Sequence, residues 1–298
     1  MLRPPDLDPL AVRRQFTRRA RHGARADFLL REVESRMLER LPLVRLEPQR
    51  IVDVGCGFGE GLLALKRHYP KAQLFGVDAS LAVVRRAQQA LAPPSRGFFG
   101  RMLGAHSGPI AALAAGDAHA LPLAHASVDL VWSNLAFHWF ESPQRAIEEW
   151  YRVMRPGALL DFSFFSVDTF AELRALGART MSFHDMHDVG DALIDAGFAE
   201  PVMDTQRLTL SWKTPQALLD DVRALGGNAL RGRFRGLLGR RSRDDWLRAI
   251  DSMRGADGLI RCTVEVVFGH AWCPQRKRRA DGLASIEFHP RRRNGNAG

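Results

Sequence analysis

The sequence predicts an α/β fold in which a mostly parallel sheet of seven strands carries helices on both faces. Two observations support this prediction. Over residues 50–164, apolar runs of strand length alternate with amphipathic runs of helix length. A glycine-dense turn, Gly55-Cys-Gly-Phe-Gly59, joins the first strand to the helix that follows it. Folds of this kind bind ligands at the carboxyl ends of their strands, so we expect a site at that turn.

The N-terminal helix precedes the first strand. Apolar residues at three- and four-residue spacing predict a single helix over 10–41, which Pro42 ends. Strands and helices then alternate up to residue 164, after which helical pieces interrupt the sheet. The strands are expected at 50–55, 73–78, 111–115, 128–133, 158–164, 200–211 and 262–272, and the helices at 59–69, 80–91, 143–154, 168–178, 186–196, 214–225 and 243–253.

This order predicts one α/β core with a helical segment before it, an insertion within it and a tail after it. We expect the insertion to fold over the open end of the sheet as a substrate cap. The tail is basic and contains glycine, which predicts disorder. The divisions are an N-terminal helical cap segment at 1–45, the core at 46–212, the helical insertion at 213–260, the last strand at 261–274 and the tail at 275–298.

The composition is that of an ordinary globular chain. Its 298 residues are 46% hydrophobic, and no apolar run approaches the roughly 18 residues that a membrane span requires. The N-terminus lacks the apolar stretch of a signal peptide, so we expect a cytoplasmic protein. Cys56, Cys262 and Cys273 are too few and too scattered for disulfides or zinc, and we expect no metal. Cys56 lies beside a helix N-terminus that would lower its thiol pKa, which makes it a candidate nucleophile.

The formal net charge of +10 suggests a nucleic-acid partner until the charges are located. Many lie near the ends of the chain, and few aromatic side chains are interleaved with them to stack on bases. We therefore expect neither a nucleic-acid nor a membrane partner. One arginine cluster, in a region expected to be helical, would either meet an acidic partner or form a solvated face. Its members are Arg231, Arg233, Arg235, Arg240, Arg241 and Arg243.

Two carboxylates accompany the glycine turn. Asp53 lies in the first strand. Asp78 ends the second strand about 20 residues after the glycine turn, where such folds hydrogen-bond a ribose diol. Gly55 and Gly57 can adopt positive φ and let the backbone approach a ligand closely. Glycines alone would also suit a turn that binds nothing, but Asp78 favours nucleotide binding.

Two later segments distinguish between the possible cofactors. Gly116-Asp-Ala118 follows the short third strand, and Val128-Asp-Leu-Val-Trp-Ser-Asn134 contains the fourth. With the first two loops they resemble class I S-adenosylmethionine-dependent methyltransferases, which implies a Rossmann-like fold and S-adenosylmethionine as cofactor. The resemblance implies three groups of contacts. At the methionine end, Gly55 and Gly57 pass close to the cofactor, Asp53 binds its ammonium group, and Asn134 faces it chiefly through its backbone. Asp78 binds the ribose hydroxyls, Ala79 packs on adenine, and Asp117 with the Ala118 amide hydrogen-bonds to the adenine edge.

Three of these residues have structural alternatives. Asp53 could hydrogen-bond only to turn amides, Asp117 could cap a short helical turn, and Asn134 could stabilise its loop. Four elements in the order and at the spacing of the class favour cofactor binding over these separate explanations.

Segments outside the cofactor motifs carry a narrower resemblance. They include Val12-Arg-Arg-Gln-Phe16, Asp185-Met-His-Asp188 and Gly269-His-Ala-Trp272. These segments resemble the malonyl-acyl carrier protein O-methyltransferase family of biotin synthesis, over residues 10–273. The resemblance implies methylation of the free carboxylate of a malonyl thioester on acyl carrier protein, an acidic partner that would meet the arginine cluster. Another reaction on this scaffold, on a different small carboxylate or as protein-arginine hydroxylation, stays open, as does a non-catalytic assembly role.

The implied reaction needs no strong base, because a malonyl carboxylate with a reference pKa of about 4 is ionised at neutral pH. The protein must instead hold the carboxylate in line with the methyl group. An arginine fork would suit that carboxylate, and Arg174, Arg223 and Arg231 are candidates by location.

The histidines expected nearest the pocket are His138 and His187. The resemblance gives His138 a wall or orienting role, and the alternative is a capping role. Asp188 is expected to cap the helix that follows it. Proteins of this family commonly carry a tyrosine where this chain has Gly23, a departure that bears on placement of the substrate.

Overall fold

The structure is a computed structural model that describes residues 2, 5–22, 27–92, 109–225, 229–233, 236 and 239–275. Gly23, Arg235 and the tail beyond Gln275 lie outside the described residues, as do the predictions made for them. No helix in the described ranges is long and apolar enough to cross a membrane.

A seven-stranded sheet forms the centre of the molecule. Its strands are β1 (Arg50–Val54), β2 (Gln73–Asp78), β3 (Ala112–Ala115), β4 (Val128–Ser133), β5 (Met154–Phe165), β6 (Ala199–Trp212) and β7 (Ile260–Trp272). They lie in the order β3-β2-β1-β4-β5-β7-β6, with the first five parallel and β7 antiparallel to both β5 and β6. The order reverses between β1 and β4, the place where open α/β sheets bind ligands. The predicted seven-stranded, mostly parallel α/β fold is confirmed.

Helices cover the sheet. The strands β1 and β4 are therefore buried and consist of nearly continuous apolar runs. The helices are α1 (Pro9–His22), α2 (Asp27–Arg40), α3 (Glu60–His68), α4 (Leu81–Ala90), α5 (Pro143–Val153), α6 (Ala171–Ala175), α7 (Met186–Asp195), α8 (Pro215–Ala224) and α9 (Arg240–Asp251). Single 3₁₀ turns occupy Leu41–Leu43 and Phe137–Trp139.

The single helix predicted over 10–41 is wrong, because the segment forms two helices with different partners. The apolar spacing behind that prediction lies in α2, where Leu29, Val33 and Met37 are buried in the core. α1 instead contacts α4, and Thr17 Oγ1 lies 3.0 Å from Ser80 Oγ. The N-terminal segment therefore contributes one core helix and one helix at the carboxyl-end rim of the sheet.

The start of one strand and the cap of one helix also differ from the prediction. β5 begins at Met154, ahead of the predicted start at residue 158, because Gly157 donates its N–H to Cys273 O at 2.8 Å just beyond β7. α7 begins at Met186, and its cap is Asp185 rather than Asp188. The Asp185 Oδ1 atom accepts the His187 N–H at 2.8 Å, which places Asp188 inside the first turn.

The segment predicted as an insertion joins β6 to β7 and carries α8 and α9, which contact each other. It is also tied to the N-terminus. Leu7 forms an isolated antiparallel bridge with Leu230, and Asp8 donates its N–H to Ala229 O at 2.8 Å. Its function as a substrate cap remains a prediction.

Candidate functional site

A cavity of about 410 Å³ opens at the carboxyl ends of β1, β2 and β4. Its volume lies in the range of pockets that hold cofactors, about 300–1,000 Å³. α1 forms one wall with Val12, Arg13, Phe16 and Arg19, and the insertion contributes Leu225. All the residues predicted from the sequence to contact a cofactor, together with His138, line this cavity: Asp53, Gly55, Gly57, Asp78, Ala79, Asp117, Ala118 and Asn134.

The glycine turn needs glycine for two separate reasons. Gly55 and Gly57 have φ of +81° and +53°, in the left-handed region that side chains disfavour. A Cβ atom at Gly55 would stand 2.3 Å from the Ala136 Cβ, so the turn packs against the segment after β4. A Cβ at Gly57 would meet nothing within 4 Å, so this part of the turn faces open space. The turn therefore leaves room for a ligand at Gly57.

Asp78 joins the second strand to the glycine turn. Its Oδ1 accepts the Ser80 N–H at 2.9 Å, and its Oδ2 accepts the Gly57 N–H at 3.3 Å. Burial raises the pKa of Asp78 to about 6, although the two backbone hydrogen bonds act against that rise. The carboxylate is thus ionised near neutral pH and keeps acceptor capacity toward the cavity.

Asp53 is buried at the cavity, and its neighbour there is Glu34, a residue that was not predicted from the sequence. Burial raises the pKa of Asp53 well above its usual range, and the charges of Glu34 and Asp78 raise it further. Glu34, on α2, has its pKa raised to about 7, first by burial and then by Glu60. The signal that could have found Glu34 is its four-residue spacing from Leu30, which places it on the inward side of α2.

The loop after β3 presents an exposed carboxylate. Asp117 Oδ1 accepts the His119 N–H at 3.0 Å and lies 2.6 Å from the His119 Nδ1. Burial acts in the opposite direction, but these contacts with His119 lower the pKa of Asp117. Because this Asp–histidine pairing is compatible with both a loop-stabilising and an adenine-reading role, the assigned role stays a prediction.

Asn134 uses its side chain to hold the site together. Its Nδ2 donates to Leu30 O at 3.0 Å, and its Oδ1 accepts the Ser163 hydroxyl at 2.9 Å. These bonds tie the end of β4 to α2 and β5. One amide hydrogen and one lone pair of the side chain are thereby occupied, and a contact of this residue with a cofactor stays a prediction.

His138 is buried and neutral. Its Nδ1 accepts the Phe165 N–H at 3.4 Å, and its ring lies 4.7 Å from the ring of Phe165. Burial, reinforced by His184, lowers the pKa of His138 to about 3. His187 does not line the cavity, whereas His119 does. His138 therefore forms a wall of the cavity and carries no positive charge at neutral pH.

The arginines predicted to bind the acceptor are engaged elsewhere. Arg174 donates to the carbonyls of residues 167 and 169, Arg223 pairs with Asp220, and Arg231 donates to Leu7 O at 2.7 Å. The arginines that line the cavity, among the residues described, are Arg13 and Arg19. Sequence reasoning missed both, because nothing in their local pattern shows that α1 turns toward the cavity.

The environment of Cys56 does not support its candidacy as a nucleophile. Burial raises the pKa of its thiol well above the usual range, and the nearby Asp53 and Asp78 carboxylates raise it further. A thiol in this environment stays protonated, so the helix N-terminus does not activate it.

Comparisons with known proteins agree with this arrangement. Residues 52–162 match the family described as "Methyltransferase domain". The solved YcgJ protein of Bacillus subtilis shares the fold with a TM-score of 0.57 at 16% identity, over 82% of this chain and 99% of that one.

Two full-length relatives identify the family. The malonyl-[acyl-carrier protein] O-methyltransferase of Laribacter hongkongensis is 41% identical over 293 residues, 95% of this chain and 96% of the relative. Its namesake in a Methylovorus species is 40% identical over 294 residues, 96% of each chain. At this coverage the match includes the insertion and β7, well beyond the cofactor loops. The chain therefore belongs to the malonyl-acyl carrier protein O-methyltransferase family.

Proposed function

We propose that this protein transfers a methyl group from S-adenosylmethionine to the free carboxylate of a malonyl thioester on acyl carrier protein, forming the methyl ester used in biotin synthesis. The observation that carries the proposal is the identity of 41% across 95% of the chain with an enzyme of that name. The relatives' names favour this reaction over arginine hydroxylation or an assembly role. A cytoplasmic location is part of the same proposal.

The residues around the cavity fit an adenosyl cofactor. Asp78 is ionised near neutral pH and can accept ribose hydroxyls beyond the two amides it already binds. Ala79 borders the space for adenine, and Asp117 with the Ala118 amide would read its edge. Gly57 offers an unobstructed backbone surface for the methionine part. Aligned helix N–H groups at α3 complete the cradle.

The cofactor, when bound, supplies an electrophilic methyl group on its sulfonium. The residues of the protein then have to position the acceptor and exclude water, a proximity effect worth up to about 7–11 kcal/mol. The neutral imidazole of His138 suits this task, since the acceptor carboxylate needs no deprotonation. The rings of Phe16 and Trp139, in edge contact at 5.3 Å, shield the α1 side of the cavity.

Arg13 is the residue we assign to the acceptor carboxylate. It lines the cavity from α1, and among the described residues its guanidinium has no hydrogen-bond or ion-pair partner. An arginine fork binds a carboxylate through two parallel hydrogen bonds. Arg13→Gln should raise KM for malonyl carrier protein at least about tenfold, the equivalent of a charged hydrogen bond of 1.5–3 kcal/mol.

Arg14→Gln is the matched control, because Arg14 is exposed on the same helix and does not line the cavity. It should leave KM within about twofold of the wild type. Equal effects of the two substitutions would point to long-range charge rather than a fork. A loss confined to cofactor affinity would assign Arg13 to the cofactor instead.

For carrier-protein docking we assign the exposed arginines at the start of α9, Arg240, Arg241 and Arg243. Arg231 and Arg233 do not belong to that surface, because they bind Glu141 and Asp8 and precede the helix. Reversing the charges at Arg240 and Arg241 should weaken binding of acidic carrier protein and remove its dependence on salt. Binding indifferent to salt and to these changes would contradict the assignment.

One assay tests the proposed reaction. Purified protein is incubated with methyl-labelled S-adenosylmethionine and malonyl carrier protein, and the product is treated with mild base. Release of the label from the carrier protein as methanol is the expected result. Transfer to free malonate with none to the carrier protein would show a different acceptor, and cofactor binding without transfer would show a non-catalytic protein.

A further inference from the structure

Three polar groups from different elements converge above Gly61, in the first turn of α3. A Cβ atom at Gly61 would stand 2.7 Å from the Glu34 Oε1 of α2, 3.1 Å from the Asp53 Oδ2 of β1 and 3.6 Å from the Trp132 Nε1 of β4. The absence of a side chain at Gly61 thus leaves one small space that is bounded by two carboxyl groups and an indole N–H. All four residues line the cofactor cavity.

None of these polar groups has a partner within the described part of the protein. No hydrogen bond or ion pair reaches the half-buried Glu34 carboxyl group or the buried Asp53 carboxyl group, and the indole nitrogen of the wholly buried Trp132 has no acceptor. A buried donor or acceptor without a partner costs about 1–3 kcal/mol. Buried polar groups are rarely left in this state, so the set is expected to be completed by a bound molecule.

The unmatched groups define the chemistry of that molecule. Two neighbouring carboxyl groups are complementary to a cation with several N–H donors, and the indole N–H is complementary to an acceptor. An α-amino acid head group supplies both, since its ammonium can donate to the two carboxylates and its own carboxylate can accept from the indole. The methionine end of S-adenosylmethionine is such a head group.

We propose that Glu34, together with Asp53, binds the α-ammonium group of the cofactor in the space above Gly61. The inference rests on the S-adenosylmethionine site of the proposed function. It assigns to α2, a helix outside the glycine and carboxylate loops, a direct contact with the cofactor. Glu34 thereby sets how strongly the site distinguishes ligands that carry the amino group from ligands that lack it.

The groups that face Glu34 are consistent with this role. Burial, Glu60 and the neighbouring Asp53 oppose its ionisation and raise its pKa, whereas the charges of Arg67 and Arg31 favour ionisation. Arg31 is largely exposed and lies 3.8 Å from Glu60, so it does not neutralise the pair. An ammonium group between Glu34 and Asp53 removes the repulsion between them and stabilises the ionised form of both.

The test uses two ligands and two variants of the full-length protein. The ligands are S-adenosylhomocysteine and its analogue that lacks the α-amino group, and their binding is measured by titration calorimetry. In Glu34→Gln, affinity for S-adenosylhomocysteine should fall about tenfold, while affinity for the analogue should stay within about twofold. Glu39→Gln removes the same charge from the exposed side of α2 and should change neither affinity.

The outcomes separate this inference from the proposed function. If the wild type fails to bind S-adenosylhomocysteine, the cofactor site itself is wrong, and the inference falls with it. If the wild type binds it but Glu34→Gln weakens both ligands equally, or neither, only the assignment of Glu34 is overturned. Thermal unfolding of the free variants confirms that each one is folded before the titrations are compared.

Discussion

Replacing Gly61 with alanine fills the space between Glu34, Asp53 and Trp132 while leaving the fold intact. Gly61 is helical, and alanine is the better helix former by about 0.5–1 kcal/mol. The new methyl would stand 2.7 Å from the Glu34 Oε1, which is too close, but this atom is the far end of a flexible side chain. Its displacement costs about 0.5–1.5 kcal/mol. The two effects nearly cancel, so the variant should unfold within about 1 kcal/mol of the wild type.

Cofactor binding should respond quite differently. The methyl group occupies the position assigned to the ammonium and pushes Glu34 away, so at least one charged hydrogen bond is lost. Such a bond is worth about 1.5–3 kcal/mol, which corresponds to a fall in affinity for S-adenosylhomocysteine of roughly 10- to 150-fold.

Two measurements check this prediction on the same preparation: urea unfolding of the free protein and calorimetric titration with S-adenosylhomocysteine. A folded Gly61→Ala protein that binds S-adenosylhomocysteine as tightly as the wild type would refute the reasoning. Glycine would then be required there for helix packing alone, and the head group would lie elsewhere in the cavity.

Three further predictions follow from the same contacts. Gly55→Ala should lower the unfolding free energy measured in urea by about 3 kcal/mol, because the residue has a φ of +81° and its Cβ would lie 2.3 Å from a neighbouring Cβ. Gly57→Ala should lower it by about 1 kcal/mol, because its Cβ would meet nothing within 4 Å. Equal losses in the two variants would contradict the steric argument. Burial raises the pKa of Asp161 from 3.8 to about 8, so the folded state keeps a proton that the unfolded chain loses. The contribution of this protonated carboxyl group to stability is full below about pH 4 and is lost as pH rises toward 8. The unfolding free energy of Asp161→Asn, relative to that of the wild type, should therefore grow by about 1.4 kcal/mol per pH unit between pH 5 and 7. A difference that does not change with pH would show that Asp161 has an ordinary carboxyl pKa. The pKa of Glu34 is raised to about 7, and its ionised form is the one assigned to bind the ammonium group. Affinity for S-adenosylhomocysteine should therefore rise between pH 6 and 8 in the wild type and much less in Glu34→Gln. Parallel pH profiles of the two proteins would assign the titration to another group.

The features that could be predicted from the sequence are those whose signal is local. Alternating apolar runs specify the strands, and the glycines of the first turn occupy the backbone conformations that only they adopt easily. Asp53 and Asp78 reach the cavity because the carboxyl ends of parallel strands meet at one edge of the sheet. Their positions follow from topology once the strands are known.

The parts that could not be predicted depend on how separate elements pack. Glu34 reaches Asp53 only because α2 lies across the sheet beside α3, and its spacing on the helix does not reveal that neighbour. The residues around Arg13 and Arg174 in the sequence do not show which of the two reaches the cavity. Arg13 lines it, whereas Arg174 donates hydrogen bonds to backbone carbonyls. Asp185 takes the cap predicted for Asp188 because the helix begins directly after it, at Met186.

The tie between the N-terminal segment and the insertion has a consequence for synthesis of the protein. Arg231 donates to the carbonyl of Leu7 across 224 residues of chain, and Arg233 reaches Asp8. A ribosome releases the N-terminal segment first, but the partners that hold it over the cavity emerge almost last. The contact of α1 with α4 can form early, whereas the bonds that fix Leu7 and Asp8 to the insertion can form only near the end of translation. Truncated products that end before the insertion would carry an N-terminal segment without these two bonds.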